Sequence, residues 1–179
     1  AQHEAMLFAA VGLLIGGLDD LLIDILYIAR TLWRKLFIYS RHPRMTASNL
    51  PPSTRPGPIA IFVPAWQESA VIGQMLREAI RQWGSGTTPP YRIFVGVYPN
   101  DRDTLSAVAA VAADHSQVHL VIHTHAGPTT KADCLNRLWQ ALGREERVIG
   151  QAFKAVVLHD AEDVVHRDEL RLFHTMIDR

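Results

Sequence analysis

The sequence predicts an α/β fold, a three-layer sandwich built on a parallel sheet and preceded by an N-terminal hydrophobic helix. After residue 58, four short apolar runs alternate with segments whose apolar residues recur at three- and four-residue spacing. The apolar runs do not alternate between apolar and polar residues, as a strand with one solvent-exposed face would. Continuous apolar runs are typical of strands buried on both faces. Strands that alternate with helices imply right-handed crossovers and helices on both sides of the sheet.

The composition is that of a globular protein. The chain has 179 residues, of which 48% are apolar and 20% charged, so disordered and collagen-like structures are excluded. Lys and Arg together number 18, as do Asp and Glu. This zero net charge argues against a nucleic-acid partner held by phosphate neutralisation. The single cysteine excludes an internal disulfide and a cysteine-rich zinc site.

Residues 1–45 are predicted to form a membrane-associated hydrophobic helix with a basic flank. Residues 5–18 carry no charge, but a membrane span needs roughly 20 residues. The longer apolar stretch, to about residue 38, contains three carboxylates: Asp19, Asp20 and Asp24. Five basic residues with no acid between them then mark the cytoplasmic side: Arg30, Arg34, Lys35, Arg41 and Arg44. The alternative is an amphipathic helix packed on the soluble domain or lying flat on a membrane, since intramembrane acids are costly.

Residues 46–58 are predicted to be a linker. They contain four prolines, which exclude regular helix and central strand: Pro51, Pro52, Pro56 and Pro58. The second domain is therefore expected over residues 59–179.

The elements of this domain are predicted in strict alternation. The four strands are placed at residues 59–63, 92–98, 118–122 and 155–158. The helices are placed at 69–83 with the stop Gly84-Ser85-Gly86, at 104–114, at 130–142 with the cap Thr130 and the stop Gly143, and from Asp168 onward. Because polar turns follow strands one and four, the expected strand order is 3-2-1-4.

Polar residues follow the carboxyl end of every strand, where open α/β sheets bind their ligands. They occupy residues 64–68, 99–103, 123–125 and 159–163. No G-x-G-x-x-G follows the first strand, and the chain contains no G-x-x-x-x-G-K-[ST]. A dinucleotide-binding Rossmann domain and a P-loop NTPase are therefore excluded.

The strongest chemical signal is the run Asp160-Ala161-Glu162-Asp163 after the fourth strand. Three carboxylates in one small volume repel each other unless a cation neutralises them, and carboxylate oxygens suit Mg²⁺ or Mn²⁺. The alternative is a solvated acidic turn that caps the next helix.

Four segments, taken in order, resemble family 2 glycosyltransferases of the GT-A fold. Residues 63–68 resemble the P-x-x-N-E turn, and an Asp-containing loop follows strand two. Residues 131–136 resemble K-A-x-x-L-N, and Asp160-Ala161-Glu162 resembles D-x-D with Glu as its second acid. Residues 17–20, 98–101 and 159–163 are similar to the phage-adsorption type of inner-membrane glycosyltransferase.

The resemblance implies inverting transfer from a nucleotide-diphosphate sugar, taken as a UDP-sugar, with Mg²⁺ or Mn²⁺ as cofactor. It implies that Glu68 lies near the base or ribose and that Lys131 meets the diphosphate. It also implies that Asp160 contacts the ribose or the metal and that Glu162 ligates the metal. Asp101 would contact the base edge, with Asp103 as an alternative. The implied donor-binding residues are Pro64, Ala65, Trp66, Glu68, Asp101, Lys131 and Asp160.

Most of these residues also have a structural interpretation. Glu68 could favour the first helical turn through the helix dipole alone, and Asp101 or Asp103 could cap the next helix. Trp66 could be a core or rim aromatic. Lys131 is different, because a cation at a helix start opposes the dipole and a bound phosphate would explain it.

Three histidines, His119, His123 and His125, are predicted to share one face of the third strand. This arrangement could indicate a transition-metal site, but no paired carboxylate or cysteine accompanies them in the sequence. They are therefore interpreted as a product of strand alternation, with the metal site as the alternative. Cys134 is expected to be a small core residue.

The resemblance also implies what surrounds the domain. The general base and the acceptor site are expected downstream of Arg179, so residues 59–179 are expected to be an incomplete, donor-binding half that is inactive alone. The expected location is the bacterial inner membrane with the catalytic domain cytoplasmic, in polysaccharide or envelope glycan synthesis, with an envelope export or receptor partner. A non-catalytic membrane receptor or scaffold and a nucleotidyltransferase stay open as alternatives.

Overall fold

A computed structural model describes residues 2–84, 86 and 88–178 of the chain. Ser85, part of the predicted helix stop, lies outside the described residues. The chain divides into two compact units, a helical unit of residues 1–46 and an α/β unit of residues 47–179. Each unit is described by itself.

The helical unit is one long apolar helix. Helix α1 spans Gln2–Trp33 and continues as a π-helical turn over Arg34–Ile38, and no residue of either is buried. By length and composition this 37-residue helix is able to cross a membrane. At the end of this helix, the guanidinium of Arg34 lies 5.3 Å from the centre of the ring of Tyr39, the residue that follows the helix. The predicted long N-terminal apolar helix is confirmed.

The α/β unit is built on a four-stranded parallel sheet with the order β3-β2-β1-β4. The predicted order and direction are both confirmed. The strands are β1 (Ile59–Pro64), β2 (Tyr91–Val97), β3 (Val118–Ile122) and β4 (Ala155–Leu158). Strand β1 lies at the centre, between β2 and β4, and all its residues except Pro64 are buried.

Helices cover both faces of this sheet, because β1 presents apolar side chains in both directions. The helices are α2 (Ile72–Trp83), α3 (Arg102–Asp114), α4 (Lys131–Ile149) and α5 (Glu169–Met176). Ile61 and Val63 belong to the core layer that contains α2 and α3. Ala60 and Phe62 belong to the opposite layer, formed with α4. The three-layer sandwich is therefore confirmed.

Two predicted helix ends were wrong. Helix α4 does not stop at Gly143 but runs to Ile149, and Gly150 ends it with a left-handed φ of 69°. A single glycine inside a helix costs only about 1 kcal/mol, and packing of the apolar face of α4 outweighs it. Helix α2 begins at Ile72 and not at residue 69, because a turn that closes on the carbonyl of Glu68 precedes it.

The core under α4 gives a direct test of the fold. Leu138 is fully buried, whereas Trp139, the next residue, is 62% exposed. We expect Leu138→Ala to lower the free energy of unfolding by about 2–5 kcal/mol, because it removes buried methyl groups and leaves a cavity. Trp139→Ala is the matched control and should stay within about 0.5 kcal/mol. Urea unfolding in mild detergent, followed by far-UV circular dichroism, measures both; equal losses would contradict the assigned face of α4.

Candidate functional site

A cleft of about 220 Å³ opens where β1 and β4 end and the loop after β3 returns to α4. We call it the strand-end cleft. Six predicted donor-binding residues line it: Pro64, Ala65, Trp66, Glu68, Lys131 and Asp160. Five further lining residues were not predicted as site residues: Tyr98, Pro128, Thr129, Thr130 and Cys134. Asp101, the seventh predicted donor-binding residue, does not line this cleft.

The turn after β1 is held in an uncommon backbone conformation. Ala65 continues the sheet ladder by donating its N–H to the carbonyl of Gly96. Gln67 then has a φ of 59°, in the left-handed region. Such a conformation costs a non-glycine residue about 1–3 kcal/mol and persists only where the surroundings hold it. Here the N–H of Gln67 donates to Asp101 Oδ2 at 2.5 Å, and the N–H of Glu68 donates to Thr104 Oγ1 at 3.0 Å.

Asp101 is therefore a buried residue that joins two elements. One carboxylate oxygen accepts the Gln67 N–H, and the other accepts the N–H of Thr104 at 3.3 Å, which caps α3. The capping interpretation of Asp101 is confirmed, and its bond to the Gln67 N–H is an additional contact that the sequence did not predict. Asp103, in the first turn of α3, is exposed. A contact between either acid and a nucleotide base stays a prediction.

An aromatic wall forms one side of the cleft. Trp66 and Tyr98 meet edge to face, with ring centres 5.3 Å apart. Gly127 lies against both rings, and a Cβ at this position would come within 2.7 Å of the Trp66 ring. Asn100 fixes the glycine by accepting its N–H and donating to its carbonyl, both at 2.8 Å. Only glycine fits this close approach, and the polar Asn100 after strand two was the signal for it.

Lys131 pairs with Asp160 across the cleft. Both side chains are about half exposed, 50% and 55%, so the pair contributes at most about 1 kcal/mol to stability. Thr130 caps α4 by accepting the N–H of Asp133 at 3.2 Å. The cation that opposes the dipole of α4 thus has a carboxylate partner on the turn after β4.

The acidic run after β4 divides into two parts. Asp163 turns back on its own loop, where it accepts the N–H of Asp160 at 2.9 Å and pairs with His159 Nδ1 at 3.0 Å. The backbone N–H is the main cause that lowers the pKa of Asp163. His159 Nε2 contacts Glu169 at 2.9 Å, and this bond is the main cause that raises the pKa of buried His159. Asp160 and Glu162 remain exposed.

Cys134 is confirmed as a buried residue, although it also lines the cleft. Burial raises the pKa of its thiol to about 11, so it is protonated at neutral pH and is not a nucleophile.

The three histidines that were predicted to share one face of β3 are not arranged as predicted. His123 and His125 lie close to Asp133 of α4, whose carboxylate the sequence did not show to be near them. His119 lies elsewhere, stacked on Phe94 with its Nδ1 4.0 Å from Glu145. The inference that no carboxylate accompanies these histidines was therefore wrong, because Asp133 lies beside His123 and His125, and Glu145 lies beside His119. Burial is the main cause that lowers the pKa of His123.

The sequence profile described as "Glycosyltransferase like family 2" matches residues 56–178. The chain belongs to glycosyltransferase family 2. The predicted family is confirmed, and the match covers nearly the whole α/β unit.

Two curated relatives of this glycosyltransferase chain are bacteriophage adsorption protein B of Escherichia coli K12 and bacteriophage N4 adsorption protein B of Escherichia coli O157:H7. Each is 46% identical over 171 residues, which cover 95% of this chain. The chain spans about a fifth of their length, 22%. The predicted resemblance to the phage-adsorption type is confirmed.

A solved structure shares the fold of this glycosyltransferase chain. It is the mannosyltransferase PcManGT from Pyrobaculum calidifontis in complex with GDP-Man and Mn²⁺, with a TM-score of 0.51 and 22% identity. The similarity covers 87% of this chain and 42% of the mannosyltransferase. The GT-A-type fold is therefore confirmed.

The role of Asp101 can be tested against its neighbour Asp103. We expect Asp101→Ala to lower the free energy of unfolding by about 1–3 kcal/mol, since it removes a helix cap and leaves the Gln67 N–H without its acceptor. Asp103→Ala, at an exposed position of the same helix, should change it by less than about 0.5 kcal/mol. Urea midpoints measured by circular dichroism decide between them. Similar values for the two variants would show that Asp101 does not support the turn.

Proposed function

We propose that the α/β unit is the donor-binding half of an inverting glycosyltransferase that uses a nucleotide-diphosphate sugar. The observation that carries this proposal is the convergence of six implied donor-binding residues on the strand-end cleft. They come from three separate stretches of the sequence, which meet only because the carboxyl ends of parallel strands share one sheet edge. Membership of glycosyltransferase family 2 supports the same reaction class.

The aromatic wall is suited to the nucleoside. Trp66 is partly exposed and is held by Tyr98, so its ring offers a rigid apolar surface for a base or ribose. Glu68 lines the same cleft and offers carboxylate oxygens to hydroxyl or N–H donors. The cleft volume of 220 Å³ is below the roughly 300–1,000 Å³ of complete ligand pockets, so it suits part of a nucleotide sugar.

The Lys131–Asp160 pair is suited to the diphosphate. An exposed ion pair takes at most about 1 kcal/mol to open. When the donor binds, the Lys131 ammonium exchanges the Asp160 carboxylate for phosphate oxygens. Lys131 then stabilises the negative charge that grows on the departing diphosphate. Asp160 is released for a second partner.

That second partner is Mg²⁺ or Mn²⁺. Asp160 and Glu162 offer carboxylate oxygens two residues apart on one exposed turn, the donor atoms that these cations prefer. Two carboxylates are too few for a hard six-coordinate cation, so donor phosphates and water would have to supply the remaining ligands. When bound, the cation supplies Lewis-acid neutralisation of the leaving diphosphate. The Mn²⁺ in the mannosyltransferase complex of similar fold supports a divalent cofactor.

The proposed donor is a UDP-sugar and the proposed product a bacterial polysaccharide or envelope glycan. Deprotonation of the acceptor hydroxyl requires a general base, which the proposal does not assign to a residue of this chain. A non-catalytic receptor or scaffold is the second candidate, since two relatives are called adsorption proteins. A nucleotidyltransferase is not favoured, because residues 63–68 contain neither glycine nor arginine.

Nucleotide binding with and without metal tests the proposal. We expect UDP to bind the chain more tightly with Mn²⁺ than without it, as measured by isothermal titration calorimetry, and we include GDP to identify the base. Glu162→Gln should remove most of the Mn²⁺-dependent gain, at least about tenfold in affinity, because one metal ligand is lost while the shape is kept.

The control for this variant is Asp114→Asn, at the end of α3 opposite its cap residue Asp101. It should bind UDP and Mn²⁺ as the unmodified chain does. Circular dichroism should show that Glu162→Gln is folded, since loss of one charge in an acidic turn relieves repulsion. If neither UDP nor GDP binds with Mn²⁺, the scaffold candidate replaces the enzyme.

The helical unit is proposed to span the bacterial inner membrane, with the basic flank and the α/β unit in the cytoplasm. The apolar length of α1 and the basic residues after it support this orientation. Trypsin added outside intact spheroplasts should leave the bond after Arg44 uncut, and permeabilised cells should show cleavage there. Cleavage in intact spheroplasts would reverse the topology.

A further inference from the structure

We propose that His123, His125 and Asp133 form a binding site for one transition-metal ion of the zinc type, separate from the Asp160–Glu162 pair. The site ties the end of β3 to the first turn of α4. It goes beyond the proposed glycosyltransferase function and does not depend on it, because it requires no donor.

The distances fit a tetrahedral metal. The three ligand atoms all lie within 4.8 Å of one another. His125 Nε2 is 3.4 Å from Asp133 Oδ2, and His123 Nδ1 is 3.9 Å from the same oxygen. Metal bonds of about 2.0–2.2 Å at tetrahedral angles place ligand atoms about 3.3 Å apart. The two histidine–carboxylate distances, 3.4 and 3.9 Å, are therefore already close to this spacing.

Burial gives an independent reason for a ligand here. The His123 side chain is only 2% exposed, and its Nε2 is buried without a hydrogen-bond partner within the part of the chain that the structure describes. Asp133 Oδ2, which faces both histidines, is also buried without a hydrogen-bond partner there. Buried polar atoms are normally paired, since a lost partner costs about 1–3 kcal/mol. A cation between the three side chains would pair the buried carboxylate oxygen of Asp133.

The surroundings hold the cluster in place. The Tyr98 ring stacks on His123 with centres 4.3 Å apart and 12° between the planes. The Asp133 N–H is bound by Thr130, so the carboxylate projects from an ordered first turn of α4. Both ends of the loop between β3 and α4 thus contribute ligands from positions that packing already fixes.

The donor set selects the kind of metal. Two imidazoles and one carboxylate suit zinc and its neighbours, whereas Mg²⁺ and Mn²⁺ prefer oxygen ligands. Cys134 follows Asp133 but does not join the set, because its sulfur packs against Gly96 of β2. Three protein ligands leave a fourth position for water or an anion. The site is therefore chemically distinct from the carboxylate pair across the cleft.

The test is a titration of the chelator-treated chain in detergent micelles with Zn²⁺ alone, without nucleotide. Calorimetry should show one equivalent bound at this site, and Co²⁺ in its place should give the visible absorption of a tetrahedral nitrogen and oxygen site. Zn²⁺ should also raise the melting temperature, because it binds the folded state. His125→Ala and Asp133→Asn should each weaken binding by at least about tenfold.

His125 and Asp133 are chosen because their side chains are 51% and 41% exposed, so their substitution spares the core that His123 occupies. His115→Ala, a histidine at the end of α3, is the matched control and should bind Zn²⁺ normally. Circular dichroism must show all variants folded. The proposal is overturned if the unmodified chain binds no Zn²⁺, or if both ligand variants bind it as tightly as the control. Loss on Asp160→Asn with retention in His125→Ala would also overturn it, since the ion would then lie at the acidic turn.

Discussion

The burial of β1 between β2 and β4 is the constraint on which the α/β unit depends. Ile59 and Val63 are fully buried, and side chains between them enter the core layers on both faces. A strand buried in this way has no free edge and no alternative register, since a shift by one residue would exchange its two faces. Its carboxyl end is fixed beside the ends of β2 and β4, and that convergence creates the strand-end cleft.

The loops at this edge are fixed by side chains that bind backbone groups. Asp101 accepts the N–H of left-handed Gln67, and Asn100 binds both polar groups of Gly127. These adjacent residues of one loop hold the turns on either side of it. Backbone groups outside regular structure need such partners when they are buried, so the order of the cleft follows from hydrogen bonds and packing together.

Local pattern was sufficient to predict the sheet, because period and composition act along a single stretch of chain. The strand order and both core faces could be predicted in this way, whereas the six residues of the cleft were predicted from the resemblance to family 2 glycosyltransferases. Contacts between segments that are far apart in the sequence could not be predicted from local pattern. The carboxylate of Asp133 lies near His123 and His125 only because of the path of the loop between them. The support that Asp101 gives to Gln67 depends on a positive φ at Gln67, which the residue type does not predict. Helix α4 continues beyond Gly143 because tertiary packing outweighs the low helix propensity of one glycine.

The ion pair between Lys131 and Asp160 makes the cleft nearly neutral along that edge. In the proposed function, a nucleotide diphosphate that arrives without a cation would release a carboxylate next to its own negative charge, and a cation that arrives alone would leave Lys131 beside it. Each ligand alone thus meets a repulsion that the other removes. By thermodynamic linkage, each must then raise the affinity for the other by the same factor. In the proposed function, the pair would therefore favour the metal–nucleotide complex over free phosphate or free cation.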